Sequence, residues 1–290
     1  MLIDYNNGSP LLAVIGDPIS HSLSPLLQNT MLRELGEEGV YLAIPVKAGE
    51  VQAFVEAAKT LKIKGFNLTM PHKEDIIPWL DAMTEEAGLC RSVNSVRLRE
   101  GKLEGHSTDG IGFRRAMVEL LGVDYPGKVV TILGAGGAAK SVAMTALLSG
   151  AREIHVLNRT VQRAERLCAG HENMMPHGLS EGEAVLPETD ILISTLPTGM
   201  EGVGGGFDAV DLTLLKKDAV CVDCIYAPAK TPFMEVAEAL GHPVMNGIGM
   251  LVYQAVYALE FFLEKEFSEE TVRALGKKLL EVSGVDPFGN

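Results

Sequence analysis

Val129-Val130-Thr131-Ile132-Leu133-Gly134-Ala135-Gly136-Gly137-Ala138-Ala139-Lys140 decides the fold. A short apolar run suited to a buried strand leads directly into a G-x-G-x-x-A turn, and a helical run from Lys140 to Leu148 follows. Gly134 permits the tight turn, Gly136 lets a pyrophosphate approach the backbone, and small Ala139 allows close packing of helix on strand. The phosphates of a dinucleotide are then expected at the helix N-terminus, with Gly134, Ala135, Gly136, Gly137 and Ala138 as their cradle.

The next strand, Glu153 to Leu157, leads into Asn158-Arg159-Thr160. A site specific for NAD would place a carboxylate here, on the ribose hydroxyls. An amide, a guanidinium and a hydroxyl instead suit a 2′-phosphate, with Arg163 one helical turn beyond Arg159, so NADP is the expected cofactor. The plainer alternative is that Arg159 only solvates a helix start. Further strands are expected at Asp190 to Thr195, Ala219 to Cys224 and around Val244, with helices between most of them, which makes a Rossmann-type domain. Tyr125-Pro126-Gly127 punctuates the chain just before it.

Upstream, Leu11 to Gly16, Val40 to Val46 and Lys64 to Thr69 read as strands, alternating with helices from about Pro25 to Leu35, from about Glu50 to Leu61 and after Pro71. Val93 to Arg99 and Lys102 to His106, joined at Glu100-Gly101, read as a hairpin. A helix from Phe113 to Leu121 leads into the second domain. The last helices, about Leu251 to Lys265 and Glu269 to Val282, need an apolar surface to cover, and at least the first is expected to return to the N-terminal domain. The chain is therefore α/β with two domains: a substrate domain with a mainly parallel sheet, residues 1–112 plus 250–290, and an NADP-binding domain, residues 113–249.

Composition agrees with this reading. The 290 residues are 47% hydrophobic and 22% charged, enough apolar material for two cores. A formal charge of −13 disfavours nucleic acid and acidic membranes as partners, and any anionic ligand must be held by local groups. Met1 to Pro10 lacks the basic start and apolar run of a leader, and no apolar stretch is long enough to span a bilayer, so a cytoplasmic protein is expected. Cys221 and Cys224 form a C-x-x-C inside a strand-like run, with no turn and no second ligand pair, so they read as structural and no metal site is expected.

Polar clusters occur where strands of the first sheet end, the edge at which open α/β sheets bind ligands. They are Ser22-Leu23-Ser24-Pro25, Asn67-Leu68-Thr69-Met70-Pro71-His72-Lys73, Ser92-Val93-Asn94-Ser95 and Ser107-Thr108-Asp109-Gly110. Taken singly they have ordinary readings: the serines as helix caps, Lys73 as a solvated helix-start residue, Asp109 as an N-cap. Together with Gly16 to Pro25, Gly134 to Ala139, Asn158-Arg159-Thr160 and Asn246 to Gln254, they make the chain resemble the shikimate dehydrogenase family over almost its whole length. That family interconverts 3-dehydroshikimate plus NADPH with shikimate plus NADP, in a cleft between its two domains.

The resemblance implies that Lys73 and Asp109 form a catalytic acid–base pair. It implies that Ser22 and Ser24 bind the substrate carboxylate, and that Asn67, Thr69, Asn94, Tyr226 and Gln254 contact the ring or its hydroxyls. Cofactor contacts are implied for the glycine turn, for Asn158, Arg159, Thr160 and Arg163, for Thr195-Leu196-Pro197, and for the backbone near Cys224 and Gly247. Small-molecule substrates are the implied partners, in a monomer or homodimer. The chain departs from the family at Gln28, where most members carry His and where it resembles the branch that also accepts quinate. It departs again at Arg91-Ser92-Val93-Asn94-Ser95, in place of Gly-Ala-Val-Asn-Thr, and at Ser107, in place of Asn. The shorter Ser95 and Ser107 are expected to enlarge the pocket or leave room for water. A quinate/shikimate or aminoshikimate-type enzyme is the near alternative to a shikimate dehydrogenase, and a non-catalytic ligand sensor the distant one.

Overall fold

The computed structural model describes residues 8–289; residues 1–7, most of the stretch read above for a leader, and residue 290 lie outside the described residues. The chain divides into two compact units. The first comprises the described residues up to Gly112 together with Val252–Ser283, and the second comprises Phe113–Leu251 with the tail that begins at Gly284.

The first unit is built on strands β1 (Leu11–Gly16), β2 (Val40–Pro45), β3 (Gly65–Leu68), β4 (Ala82–Met83), β5 (Ser95–Arg99) and β6 (Lys102–His106), in the order β2-β1-β3-β5-β6-β4. Only β5 is reversed: it pairs antiparallel with both neighbours, whereas β1 is parallel to β2 and β3, and β4 to β6. The turn between β5 and β6 places Glu100 and Gly101 at positive φ, the conformation a two-residue hairpin requires. Helices α1 (Ser24–Glu34), α2 (Val51–Leu61) and α3 (Glu85–Cys90) connect the strands, and α4 (Asp109–Leu121) begins where β6 has ended.

Alternation along β3 sorts its side chains. Phe66 and Leu68 enter a core with Ala13, Ile15, Phe54, Val55 and Ala58, where the Phe54 and Phe66 rings meet edge-on at 5.0 Å. Asn67 points to the opposite face, buried and polar.

The expected helix after Pro71 is absent. Residues 71–76 form successive turns and a single 3-10 turn, Ile77–Trp79, follows. Pro78 has no amide hydrogen to donate to the Glu74 carbonyl, which accepts instead from Ile77 N at 3.2 Å, so the backbone tightens into a 3-10 turn rather than an α-helix.

The second unit holds strands β7 (Val129–Leu133), β8 (Glu153–Asn158), β9 (Met174–Gly178), β10 (Ile191–Ser194), β11 (Val220–Asp223) and β12 (Val244–Met245). Their order is β12-β11-β10-β7-β8-β9 and every pairing is parallel. This is the doubly wound arrangement whose strand order reverses at β7 and β10. Helices α5 (Gly137–Leu148), α6 (Val161–Cys168), the short α7 (Gly182–Val185) and α8 (Pro232–Ala239) complete it. β9 is not legible in the sequence, because Met174-Met175-Pro176-His177-Gly178 carries a proline; the strand lies at the sheet edge, where a missing amide hydrogen is tolerated.

The final helices, α9 (Ile248–Leu263) and α10 (Glu269–Ser283), group from Val252 onward with the first unit. Phe262 lies on Gly65 so closely that a Cβ there would fall 2.4 Å from its ring. The sequence assigned all of 250–290 to the first unit, but the tail belongs to the second. Asn246 draws it there, donating from Nδ2 to Asp286 O at 2.7 Å and from its backbone to Pro287 O at 2.8 Å.

Candidate functional site

In the first unit, Lys73 and Asp109 meet although 36 positions separate them: Lys73 Nζ donates to Asp109 Oδ2 at 2.5 Å. The Asp109 side chain is 6% exposed and that of Lys73 is 24% exposed, so the carboxylate is enclosed and the ammonium reaches the surface. Two features hold Lys73 in place without a helix. Its carbonyl accepts from Val93 N at 2.9 Å, and the neighbouring His72 ring, fully buried, donates from Nε2 to Val46 O at 2.6 Å. Asp109 lies in the first turn of α4, where free backbone amides favour a negative charge.

Asn94 stands beside the pair. Its Nδ2 donates to Asp109 Oδ1 at 2.8 Å and to Thr108 Oγ1 at 2.9 Å, and lies 3.2 Å from Gln254 Oε1 of α9. Its Oδ1 accepts from Thr108 N at 2.8 Å. Asn67 donates to Asn94 O and to Ser95 Oγ at 3.0 and 2.9 Å. Of the residues expected around the substrate, the structure thus joins Lys73, Asp109, Asn94, Asn67 and Gln254 in one hydrogen-bonded group.

Thr69 is half-buried between Asn67 and His72, and its carbonyl accepts from His72 N. Ser22 Oγ accepts from Ser24 N at 3.2 Å, whereas the residue preceding α1, Leu23, provides no side-chain cap. Tyr226 follows β11 in the second unit and is half-buried.

Of the two shortened side chains, Ser95 is fully buried inside the hydrogen-bonded group and Ser107 is 3% exposed. Gln28 is buried too, and its Nε2 donates to Ala255 O, next to Gln254, at 3.0 Å. Arg91 sits in the left-handed region at φ 48°, the conformation that explains why a glycine suits this position.

The second unit carries the glycine turn. Gly134 has φ +110°, and a Cβ on it would fall 2.3 Å from Thr195 Oγ1, so only glycine fits. Gly136 precedes α5, a twelve-residue helix, with no side-chain cap, and a Cβ built there meets nothing within 4 Å, so there is open space beside the start of this helix. Arg159, Thr160 and Arg163 are exposed beyond the end of β8, and Asn158 Nδ2 donates to Thr160 O at 2.8 Å, holding that turn. Cationic and hydroxyl groups with an uncapped helix start fit a phosphorylated dinucleotide.

The Thr195-Leu196-Pro197 loop follows β10, and Thr195 Oγ1 donates to Leu133 O at 2.8 Å. Gly247 lies against Cys224: its Cβ would stand 2.1 Å from Cys224 O. Burial pushes the thiol of Cys221 up to about 12, so the first member of the C-x-x-C is a packed, protonated side chain at neutral pH.

Asp223, at the end of β11, is fully buried, and burial pushes its carboxyl up to about 6 despite hydrogen bonds from Thr231 Oγ1 and the Ile225 and Cys224 amides. The folded chain therefore binds this proton more tightly than the unfolded chain, whose carboxyl titrates at about 3.9. Stability from this group is fullest below about pH 4, falls as pH rises through about 6, and then stays lower by roughly 3 kcal/mol. Asp223→Asn is expected to flatten that slope, as read from urea midpoints between pH 4.5 and 7; an unchanged slope assigns it to another group.

Comparison with known proteins follows this division. The model of the shikimate dehydrogenase substrate binding domain matches residues 14–96, and that of shikimate/quinate 5-dehydrogenase matches residues 118–200. A shikimate dehydrogenase (NADP(+)) of Alkaliphilus metalliredigens is 37% identical over 91% of this chain and 95% of its own length. A solved shikimate dehydrogenase in complex with NADP+ is 32% identical, superposes with a TM-score of 0.85 and covers 98% of both chains. A quinate dehydrogenase of Corynebacterium glutamicum, solved with NAD, is 29% identical with a TM-score of 0.83, covering 94% of this chain and 99% of that one. With both of its units matched and close relatives aligned over nearly the full length, the chain belongs to the shikimate dehydrogenase family.

Proposed function

We propose that the chain is an NADP-dependent oxidoreductase that interconverts 3-dehydroshikimate and shikimate, with Lys73 and Asp109 as its proton-transfer pair. The observation that supports this most directly is the 2.5 Å contact between Lys73 Nζ and Asp109 Oδ2 within a group that includes Asn94 and Gln254. NADPH, held by the amides of Gly134 to Ala138 and by Asn158, Arg159, Thr160 and Arg163, supplies the hydride when bound.

As the ketone oxygen gains negative charge, the Lys73 ammonium attracts it and donates a proton to it. Asp109 orients the ammonium and, in the reverse direction, balances the charge that returns to Lys73 when it takes the hydroxyl proton. Ser22 and Ser24 hold the substrate carboxylate, and Asn67, Thr69, Asn94 and Gln254 its hydroxyls. Hydrogen bonds to these hydroxyls discriminate more strongly than apolar contacts do, because an analogue lacking one leaves a buried polar group unpaired. A second reading, oxidation of quinate as well, is favoured by Gln28, whose amide is tied to the backbone of α9 beside Gln254.

An absorbance assay at the reduced-nicotinamide band, with shikimate and quinate each supplied with NADP and NAD, tests both readings. Shikimate with NADP is expected to be fastest, and Arg159→Ala is expected to raise the KM for NADP about tenfold while leaving NAD little changed. A parent chain that prefers NAD by tenfold overturns the assignment of Arg159.

A further inference from the structure

We infer that Tyr41 is a positioning residue for the Lys73–Asp109 pair, acting through a one-way hydrogen-bond relay that crosses the sheet by way of Asn67, Ser95 and Asn94. The inference rests on the function proposed above and extends it to a residue on the far edge strand. Tyr41, on β2, reaches past β1 to donate from its hydroxyl to Asn67 Oδ1 at 2.7 Å. Asn67 Nδ2 donates to Ser95 Oγ at 2.9 Å, Ser95 Oγ to Asn94 Oδ1 at 3.1 Å, and Asn94 Nδ2 to Asp109 Oδ1 at 2.8 Å.

Partners that have no choice fix the orientation of both asparagines. Asp109 as a carboxylate only accepts and Thr108 N only donates, so Asn94 must present its amino group to one and its oxygen to the other. Asn94 O only accepts, which turns the Asn67 amino group toward it and toward Ser95. Ser95 therefore accepts from Asn67, and its own hydrogen goes to Asn94 Oδ1 at 3.1 Å, the nearer of two acceptors, the other being Thr108 Oγ1 at 3.4 Å; the Asn67 oxygen is left for the Tyr41 hydroxyl. Four successive donors point the same way and end on the carboxylate that holds Lys73. In such a chain each bond polarises the next, and the side chains are fixed more firmly than isolated pairs would be.

The relay is closed to solvent. Tyr41 is 1% exposed, Ser95 0%, Asn94 2% and Asn67 6%, so no water replaces a missing member from outside. Burial holds the Tyr41 phenol well above its usual range, so its hydrogen is present throughout the working pH range. The charged or titratable groups nearby are Lys73 and Asp109 themselves, His72, whose ring is tied to Val46 O, and His106 on β6, whose ring is tied to Thr84 Oγ1. None of them interrupts the relay.

Steady-state kinetics of shikimate oxidation by the full chain and its Tyr41→Phe, Ser95→Ala and Ser95→Thr variants test the inference, with thermal melts as the check on folding. Tyr41→Phe and Ser95→Ala are each expected to lower kcat about three- to tenfold with the KM for NADP within about twofold of the parent. Ser95→Thr, which keeps the hydroxyl, is expected to retain kcat within about twofold. Because either change breaks the same chain, the double variant is expected to be no slower than the worse single one. Parental kcat in Tyr41→Phe and Ser95→Ala, a Ser95→Thr as slow as Ser95→Ala, or losses that multiply in the double variant overturns the relay. An inactive parent chain instead overturns the proposed function, and the relay with it.

Discussion

Lys73→Ala lowers kcat by about 10² to 10⁴ and changes the KM for shikimate only a few-fold. The size follows from what the ammonium does at once: it supplies the proton to the developing alkoxide and the positive charge that steadies it. Neither function is strongly exercised in the ground state, so the loss appears in turnover more than in binding. The protein has no ready substitute, because the other nearby members of the group, Asn94, Thr108 and Gln254, are neutral and already engaged with one another.

Lys73→Arg separates the two contributions. A guanidinium keeps the charge beside Asp109 but does not release its proton at any working pH, so this variant is also expected to lose most of its turnover. Stopped absorbance traces with both variants read the outcome. A kcat within threefold of the parent in Lys73→Ala removes this residue from the chemistry.

Gly112→Ala is expected to destabilise the fold by about 3 kcal/mol and to lower the midpoint of thermal unfolding by roughly 5–10 °C. A Cβ on Gly112 would lie 2.4 Å from the backbone nitrogen of Gln254 and 2.7 Å from its Cα, so α4 and α9 touch backbone to backbone. A backbone cannot swing aside as the end of a side chain can, and the methyl must push α9 away. Gln254 moves with it, out of reach of Asn94, so activity in the surviving folded fraction falls as well. Gly88→Ala in α3, where an added Cβ meets nothing within 4 Å, is the matched control and is expected to be neutral or slightly stabilising. Equal melting behaviour of the two variants contradicts the close crossing.

These effects show unevenly in the sequence. The nucleotide unit is legible because its signals are local: strand, glycine turn and helix follow one another within residues 129–148, and the neutral and cationic groups after β8 stand where a carboxylate would otherwise be. The stretch after Pro71 misleads because apolar spacing suggests a helix while Pro78 tightens it into a 3-10 turn, and β9 is hidden by Pro176. Lys73 and Asp109 carry no local mark of their partnership. Val93 N bonds the Lys73 carbonyl across the fold, and residue types alone leave Lys73 as a solvated helix-start residue and Asp109 as an N-cap, so only the resemblance to a family singled them out. The setting of Ser95 is not legible in the sequence either: it follows from the register that sets it opposite Asn67, a long-range fact no periodicity reports.

The discontinuity of the first unit has a consequence for how the chain is made. Every strand of the second sheet has been synthesised by residue 245, before the helices that cover Gly65 and deliver Gln254. The strands of the half begun later are thus complete first, and the half begun first waits, its sheet only partly covered, for the last forty or so residues. A premature stop near residue 250 would release a product with an assembled nucleotide sheet and a partly uncovered, sticky partner, a natural target for chaperones and proteases rather than a merely slower enzyme.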